Sequence, residues 1–380
     1  MKESEANILM LLKCNGLQYD DRVRKECESI FDTLQYTTEI HVLADNNKKE
    51  SGLIFRTQSR FFSYRLFTRK IFKGRSLLLL KLLEFFFYLI PSLLKKRKAV
   101  WLHDPLMFVF VPIFFLLKKT HLVESIVWDQ HELPPSSFIS NKLFRELYKW
   151  SLKHVDVRIH ANRERAEYLN CLLGEQYSYI TLNNFVDHKF TTEEPQPIDF
   201  EVQNWLDNQD FVLLQSGAYE ERNFRSVAEA FCTYGKQKCV VVGGNRVDLI
   251  QYRNQYKNFD DVFYFVGMIP QIRLVDYIDA AKYSLILYRS NTKNAYYCEA
   301  NRLYQASCRG TPVVVGNNPP MANFVISNNN GIVLKDDGSE VKILLEMLES
   351  IDIEKSESKK VVSNWESQNE KFFTILGNRF

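Results

Sequence analysis

The chain has 380 residues, 46% of them apolar and 25% charged, with a formal net charge of +3. That length exceeds one compact core and fits two domains of ordinary size, and the apolar-to-charged balance excludes a disordered chain. Seven cysteines, odd in number and without a C-x-x-C pair, argue against a disulfide framework and a zinc site and for a reducing compartment.

In chain order, charges precede a short apolar run at the N-terminus with no small-residue cleavage site after it, so the start reads as a first strand and not a signal peptide. Apolar runs ending in polar residues then recur: Asn7–Leu12, Ile40–Ala44, Ala99–His103, Ser125–Trp128, Val155–His160 and Tyr179–Leu182, followed by Phe211–Gln215, Cys239–Val242, Val262–Val266, Tyr283–Leu287, Pro312–Val315 and Gly331–Leu334. Several are unalternated Val, Ile and Leu, as in strands buried on both faces of a parallel sheet. The expected class is α/β, doubly wound, occurring twice. The polar stretch around His188–Asp207, with two prolines and four acidic residues before Trp205, predicts a linker. The expected division is therefore 1–190, a linker at 191–207, a second domain at 208–362, and a terminal helix at 363–380.

Residues 56–98 carry twelve basic side chains against one acid, Glu84, interleaved with aromatics and an apolar run over Leu77–Leu94. Lys81, Glu84 and Pro91 interrupt that run, which argues against a spanning helix. Two readings stand: a core helix with a solvated basic face, or a surface that meets anionic lipid. The charge density favours the membrane surface. Nucleic acid is not expected, since no nucleic-acid motif accompanies the patch. A second apolar run, Pro105–Leu117, reads as a buried helix.

The sharpest local signals lie where strands end. Gln215-Ser216-Gly217 closes one strand, with Arg222 and Arg225 before the next helix. Val242-Gly243-Gly244-Asn245 repeats the device one unit later. Two glycine-bearing strand ends in succession point to a phosphate-bearing ligand across them. Val266-Gly267-Met268 ends a third strand, and Asn301 and Arg302 open a helix that Gly310 closes before Pro312. Asn301 and Arg302 at a helix N-terminus are well placed to bind an anion. In the first half, His131 ends a strand before Glu132, and His103-Asp104 ends another.

The order of these pieces, with "FVGMIP", "ANRLYQASCRGTPVVV", "WESQNEKFF", "WDQHEL" and "NNFVD", resembles the family-4 retaining glycosyltransferases of GT-B fold, two Rossmann-like domains facing a cleft. The resemblance implies a C-terminal domain that binds a nucleotide-diphosphate sugar. Arg222 would contact the donor diphosphate, Gly217, Gly243 and Gly244 would lie near it, and Val266, Gly267 and Met268 would pack on the base. Asn301 and Arg302 match the Asn-Lys pair of the family, while Asn15, Gly16 and Glu299 would lie near the reacting centre. His131 matches a histidine that reaches the donor sugar. Many members carry two glutamates eight positions apart, the second on the ribose; here those positions are Tyr297 and Gln305.

The expected activity is sugar transfer, with retention, to an acceptor hydroxyl on a lipid-linked glycan of surface polysaccharide or glycolipid synthesis. No cofactor or metal is expected, because arginines and helix ends supply the positive charge. The expected location is cytoplasmic and peripheral to the inner face of the membrane. An epimerase or hydrolase of the same fold, and a non-catalytic binding protein, are the alternatives.

Overall fold

A computed structural model describes residues 6–14, 17, 20–54, 57–72, 77–215, 217–351, 360–361 and 363–377. The chain forms two compact units, Met1–Asn183 with Glu366–Phe380, and Asn184–Trp365.

The first unit is built on β1 (Ile8–Cys14), β2 (Thr38–Ala44), β3 (Glu50–Ile54), β4 (Ser59–Ser63), β5 (Arg97–His103), β6 (Val123–Gln130), β7 (Val157–His160) and β8 (Ile180–Thr181). They hydrogen-bond in the order β3-β4-β2-β1-β5-β6-β7-β8. All neighbours are parallel except β3 and β4, an antiparallel pair at the edge. The second unit has β9 (Phe211–Gln215), β10 (Lys238–Val242), β11 (Phe263–Gly267), β12 (Tyr283–Ile286), β13 (Val313–Val315) and β14 (Gly331–Val333). This sheet is wholly parallel, in the order β11-β10-β9-β12-β13-β14.

Burial explains the unalternated runs. Every residue of β2, β9, β12 and β13 is buried, because helices cover both faces of the sheet. In the second unit the two faces are separate cores: Leu213, Val240 and Leu303 belong to one, Val212, Phe231 and Leu344 to the other. Helices start where a short polar side chain caps the first turn. Asp20 accepts from Val23, Asn141 from Phe144 and Asn162 from Arg165. Gly174, Gly235 and Gly310 end helices in the left-handed region.

Strand order places the sites. In both sheets the order reverses direction beside the first strand, between β1 and β5 and between β9 and β12. Open α/β sheets bind ligands at the carboxyl ends of the strands flanking that switch point.

Three stretches fold differently from expectation. Residues 191–207 include a helix, Phe200–Leu206, with Val202 and Leu206 buried against the second unit and Trp205 Nε1 donating to the Asp260 carbonyl at 2.9 Å. The apolar run from Pro105 divides into a 3-10 turn, Pro105–Phe110, and a helix, Val111–Lys119, because Pro112 fits only a first turn. The chain end forms a 3-10 turn (Trp365–Gln368), a short helix (Asn369–Phe372) and a π turn (Phe373–Gly377). The part from Glu366 onward returns to the first unit, where Phe372 stacks on Trp101 with centroids 6.1 Å apart and Asn369 accepts from Ser29.

Candidate functional site

In the second unit the strand-end loops are closed by backbone contacts that only glycine permits. Gly217 has φ +78° and donates its N–H to the Val242 carbonyl at 2.8 Å. A Cβ there would lie 1.5 Å from the Gly244 carbonyl oxygen. Gly243, at φ +121°, donates to the Gly267 carbonyl at 2.7 Å. The three loops after β9, β10 and β11 are thereby linked edge to edge. Replacing Gly217 by alanine is expected to cost more than the ~1–3 kcal/mol of an unfavourable φ alone, since the loops must also separate. A urea midpoint equal to that of the wild type would contradict this.

Beyond Gly217, the 3-10 turn Glu220–Arg222 carries Arg222 back over the sheet edge. Its guanidinium carbon lies 3.5 Å from the ring centroid of Tyr288, the second residue after β12. Arg302, in the first turn of helix Asn301–Arg309, donates to the Tyr288 hydroxyl and, at 3.4 Å, to the Gln215 carbonyl. Two guanidiniums thus converge on one tyrosine at the switch point. Burial and then the neighbouring Arg302 bring the Arg222 pKa down to about 10. Burial pushes the Tyr288 phenol up to about 12, so it stays neutral. Adjacent like charges are costly unless an anion joins them, and the helix N-terminus behind Arg302 adds to the same field.

Gln305 shares a helix face with Arg302 and is 4% exposed, with no side-chain hydrogen bond among the described residues. Gln215 is 2% exposed and its Oε1 has no partner there either. Asn301 is exposed and Glu299 half-buried just ahead of the helix. Val266 is half-buried, whereas Met268 is 76% exposed, an apolar side chain in solvent beside the end of β11. Asn15 and Gly16 lie outside the described residues.

Three residues of this site had no role in the sequence reading: Tyr288, Asn318 and Asp337. Asn318 donates to the Tyr288 and Ala295 carbonyls and to Ser290 Oγ. Asp337 accepts from the Ser290 amide at 2.6 Å. They fix the loop after β12. A tyrosine and an asparagine beside strand ends carry no motif, so only Tyr288's place after an apolar run could have drawn attention to it.

In the first unit the strand ends gather charge. His103, the last residue of β5, lies in register with Asp129 of β6, and His131 follows that strand directly. Helix Asp21–Leu34 supplies Arg22 and Glu26. Arg22 forks onto both Asp129 oxygens at 2.7 and 2.9 Å and lies 3.0 Å from Glu26. Asp129 Oδ2 is 3.5 Å from His103 Nδ1 and 3.7 Å from His131 Nδ1.

Burial would raise Asp129, but Arg22 and the histidines hold it well below the usual carboxylate range. Burial, and then Asp129, push Glu26 well up. Burial pushes His103 down. His131 goes the other way, since Asp129 outweighs burial and raises it. The ligand atoms of His103, Asp129 and His131 lie within 4.8 Å of one another, a spacing that suits a metal ion. A cation there would face Arg22, which already engages both Asp129 oxygens. The geometry fits an imidazolium at His131 better.

A raised His131 pKa means its stabilisation is complete below about pH 6.5 and is lost as pH rises through the higher folded value. His41, His103 and His160, all lowered, have the opposite sign, so the readout is a difference. The stability gap between wild type and His131→Asn is expected to shrink from pH 6 to pH 9 in urea unfolding. A gap that widens or stays constant would contradict the assignment.

Two parallel-sheet units, the second with its strands ordered as in a dinucleotide-binding sheet, define a GT-B fold. Solved structures agree over nearly the whole chain. Sucrose-phosphate synthase from Thermosynechococcus elongatus matches with a TM-score of 0.68 at 14% identity, covering 98% of this chain and 96% of that one. HepE of Anabaena in complex with UDP-glucose matches at 0.62 and 12%, covering 98% and 97%. The α,α-trehalose 6-phosphate synthase of Burkholderia multivorans matches at 0.61 and 10%, covering 98% and 95%. No protein-family model and no curated protein sequence matches the chain. At these identities the likeness establishes the fold.

Proposed function

We propose that the protein is a glycosyltransferase that moves a sugar from a nucleotide-diphosphate sugar to an acceptor hydroxyl. The observation that carries this is the convergence of Arg222 and Arg302 on Tyr288 at the switch point of the second sheet. The named neighbours are sugar-transferring enzymes or were crystallised with a nucleotide sugar, which supports the same reading.

In this reading Arg222, Arg302 and the amides opening helix Asn301–Arg309 hold the diphosphate. Gln215 and Gln305 offer buried amides to ribose or sugar hydroxyls, and Val266, Gly267 and Met268 offer an apolar edge to the base. During transfer the bond from the sugar anomeric carbon to the diphosphate breaks as the acceptor oxygen bonds to that carbon. The acceptor proton leaves with the diphosphate, whose developing charge the two guanidiniums stabilise. Attack on the face the diphosphate leaves gives retention. His131 is assigned to the catalytic side on its raised pKa and its place at the end of β6.

We place the acceptor on a lipid carrier, in surface polysaccharide or glycolipid synthesis, and the protein at the cytoplasmic face of a membrane. No helix among the described residues is long and apolar enough to cross a bilayer. Several basic groups of 56–98 are neutralised internally: Arg97 is 1% exposed and paired with Glu39, Arg69 pairs with Asp45, and Lys98 with Glu124. The stronger support is apolar. Phe67, Ile71, Leu83 and Phe87 are 63, 55, 51 and 61% exposed, a surface suited to the headgroup boundary.

The test is transfer of label from a panel of UDP- and GDP-sugars to a bacterial membrane-lipid extract. Labelled lipid is expected, and free sugar only in trace. Release of free sugar without lipid labelling supports a hydrolase, and binding without turnover a non-catalytic protein.

A further inference from the structure

The first unit contains an apolar cavity of about 280 Å³ that donor binding does not use. Leu78 and Leu82 of helix Leu78–Leu93 form one wall, Leu106 and Phe108 of the turn after β5 another, and Phe138 and Phe144 close it. Among the described residues, its lining side chains are all Leu, Phe or Val. None of these side chains can hydrogen-bond a sugar, a nucleotide or a head group, so the walls favour hydrocarbon. Apolar walls of this kind gain from being covered by hydrocarbon rather than water.

Two further observations say what fills it. The mouth opens on apolar surface: Leu77 and Leu80 line the cavity while being 51 and 44% exposed. Exposure continues along the same helix through Leu83, Phe87 and Ile90, with Arg65, Lys70 and Lys96 exposed on the flanking segments. Apolar surface edged by exposed cations complements a lipid with an anionic head. The inner wall is also continuous with the charged strand ends. Leu106 and Phe108 follow His103 within one short turn, and Phe138 lies in the helix Ser136–Ser140 that follows the His131 loop. Phe108 packs on Tyr148 at 5.4 Å, and Tyr148 donates to Gln130 at the end of β6.

We propose that this cavity binds one hydrocarbon chain of a lipid-linked acceptor with an anionic head, holding the tail while the head lies at the ends of β5 and β6. This deepens the acceptor reading above and rests on it. The chain enters between Leu77, Leu80 and Val109, and the exposed face of helix Leu78–Leu93 stays on the bilayer surface.

The experiment is a calorimetric titration of the full chain with dodecyl phosphate below its micellar concentration, with inorganic phosphate as the headgroup control. Saturable binding of one dodecyl phosphate is expected, with none for inorganic phosphate. Val109→Trp, which fills the cavity from a half-buried position, is expected to weaken it at least tenfold and to raise the KM for acceptor lipid by a similar factor. Should that variant melt early, Val109→Phe and the mouth variant Leu80→Ser replace it. Wild-type affinity in a folded filled variant overturns the proposal. So does non-saturable uptake, which marks adsorption of bilayer lipid to the exposed face. So does an equal KM for acceptors with and without a tail. The titration needs no turnover, so it reports on the cavity even where the transfer assay fails.

Discussion

Replacing Arg302 by alanine is expected to lower turnover of the donor sugar nucleotide by about 10²–10³-fold, the loss typical of a group that stabilises charge only as it develops. Arg302 reaches the Gln215 carbonyl and the Tyr288 hydroxyl, so its guanidinium is fixed where β9 and β12 end. Arg222→Ala is expected to act similarly, because its cation stacks on the other side of the same contact, over the Tyr288 ring. Tyr288→Phe separates the two. It keeps the ring face for Arg222 and removes the hydroxyl that accepts from Arg302, so about a tenfold loss is expected, near the worth of one hydrogen bond to a charged group. Arg302→Lys is expected to fall between wild type and alanine, since it keeps charge but not the fork. Steady-state rates with the best UDP- or GDP-sugar check all four. An Arg302→Ala protein that folds and turns over at the wild-type rate would remove the diphosphate role.

Replacing Asp129 by alanine is the second large effect, on stability. Arg22 and Asp129 are 7% and 0% exposed at the side chain, so truncating Asp129 takes the two-oxygen fork away from a buried guanidinium, at a cost of about 3–5 kcal/mol. Arg22 keeps the Leu182 carbonyl and Glu26, 3.0 Å away, so the loss is expected toward the lower end of that range. Glu26→Gln, four residues along the same helix, is expected to cost less than Asp129→Ala, because burial and then Asp129 raise the Glu26 pKa and lower the worth of its charge. Urea unfolding at pH 7 checks the pair. Similar losses for the two substitutions would mean that Glu26 carries the charge. Asp129→Asn should also let the His131 pKa fall, visible in an NMR titration of its ring protons.

The sheets were largely legible because their strands are buried on both faces, and FVLLQ, KCVVV and AVWLH leave no other reading. The edge pair β3 and β4 was not. Glu50–Ile54 and Ser59–Ser63 are short and mixed, and they stand beside a run of basic residues whose charge masks their alternation. Arg97 shows the limit of counting charge: it looks like one more surface cation, yet folding buries it against Glu39 of β2. At the strand ends of the second unit the glycines were legible as breaks, but not that Gly217 is required by the backbone of Gly244. Tyr288 was invisible because its role depends on two arginines from other loops. The Arg22–Asp129 fork joins positions 107 apart in sequence, and nothing local in the helix Asp21–Leu34 foretells it.

The central claim is that the second unit binds a nucleotide diphosphate through Arg222 and Arg302. Its most direct test is calorimetric titration of UDP and GDP into the wild-type chain and into Arg222→Ala and Arg302→Ala proteins of unchanged melting temperature. The account predicts one saturable site for at least one nucleotide, weakened at least tenfold by either substitution. Binding of neither nucleotide to the wild type, or binding that both substitutions leave unchanged, would contradict it.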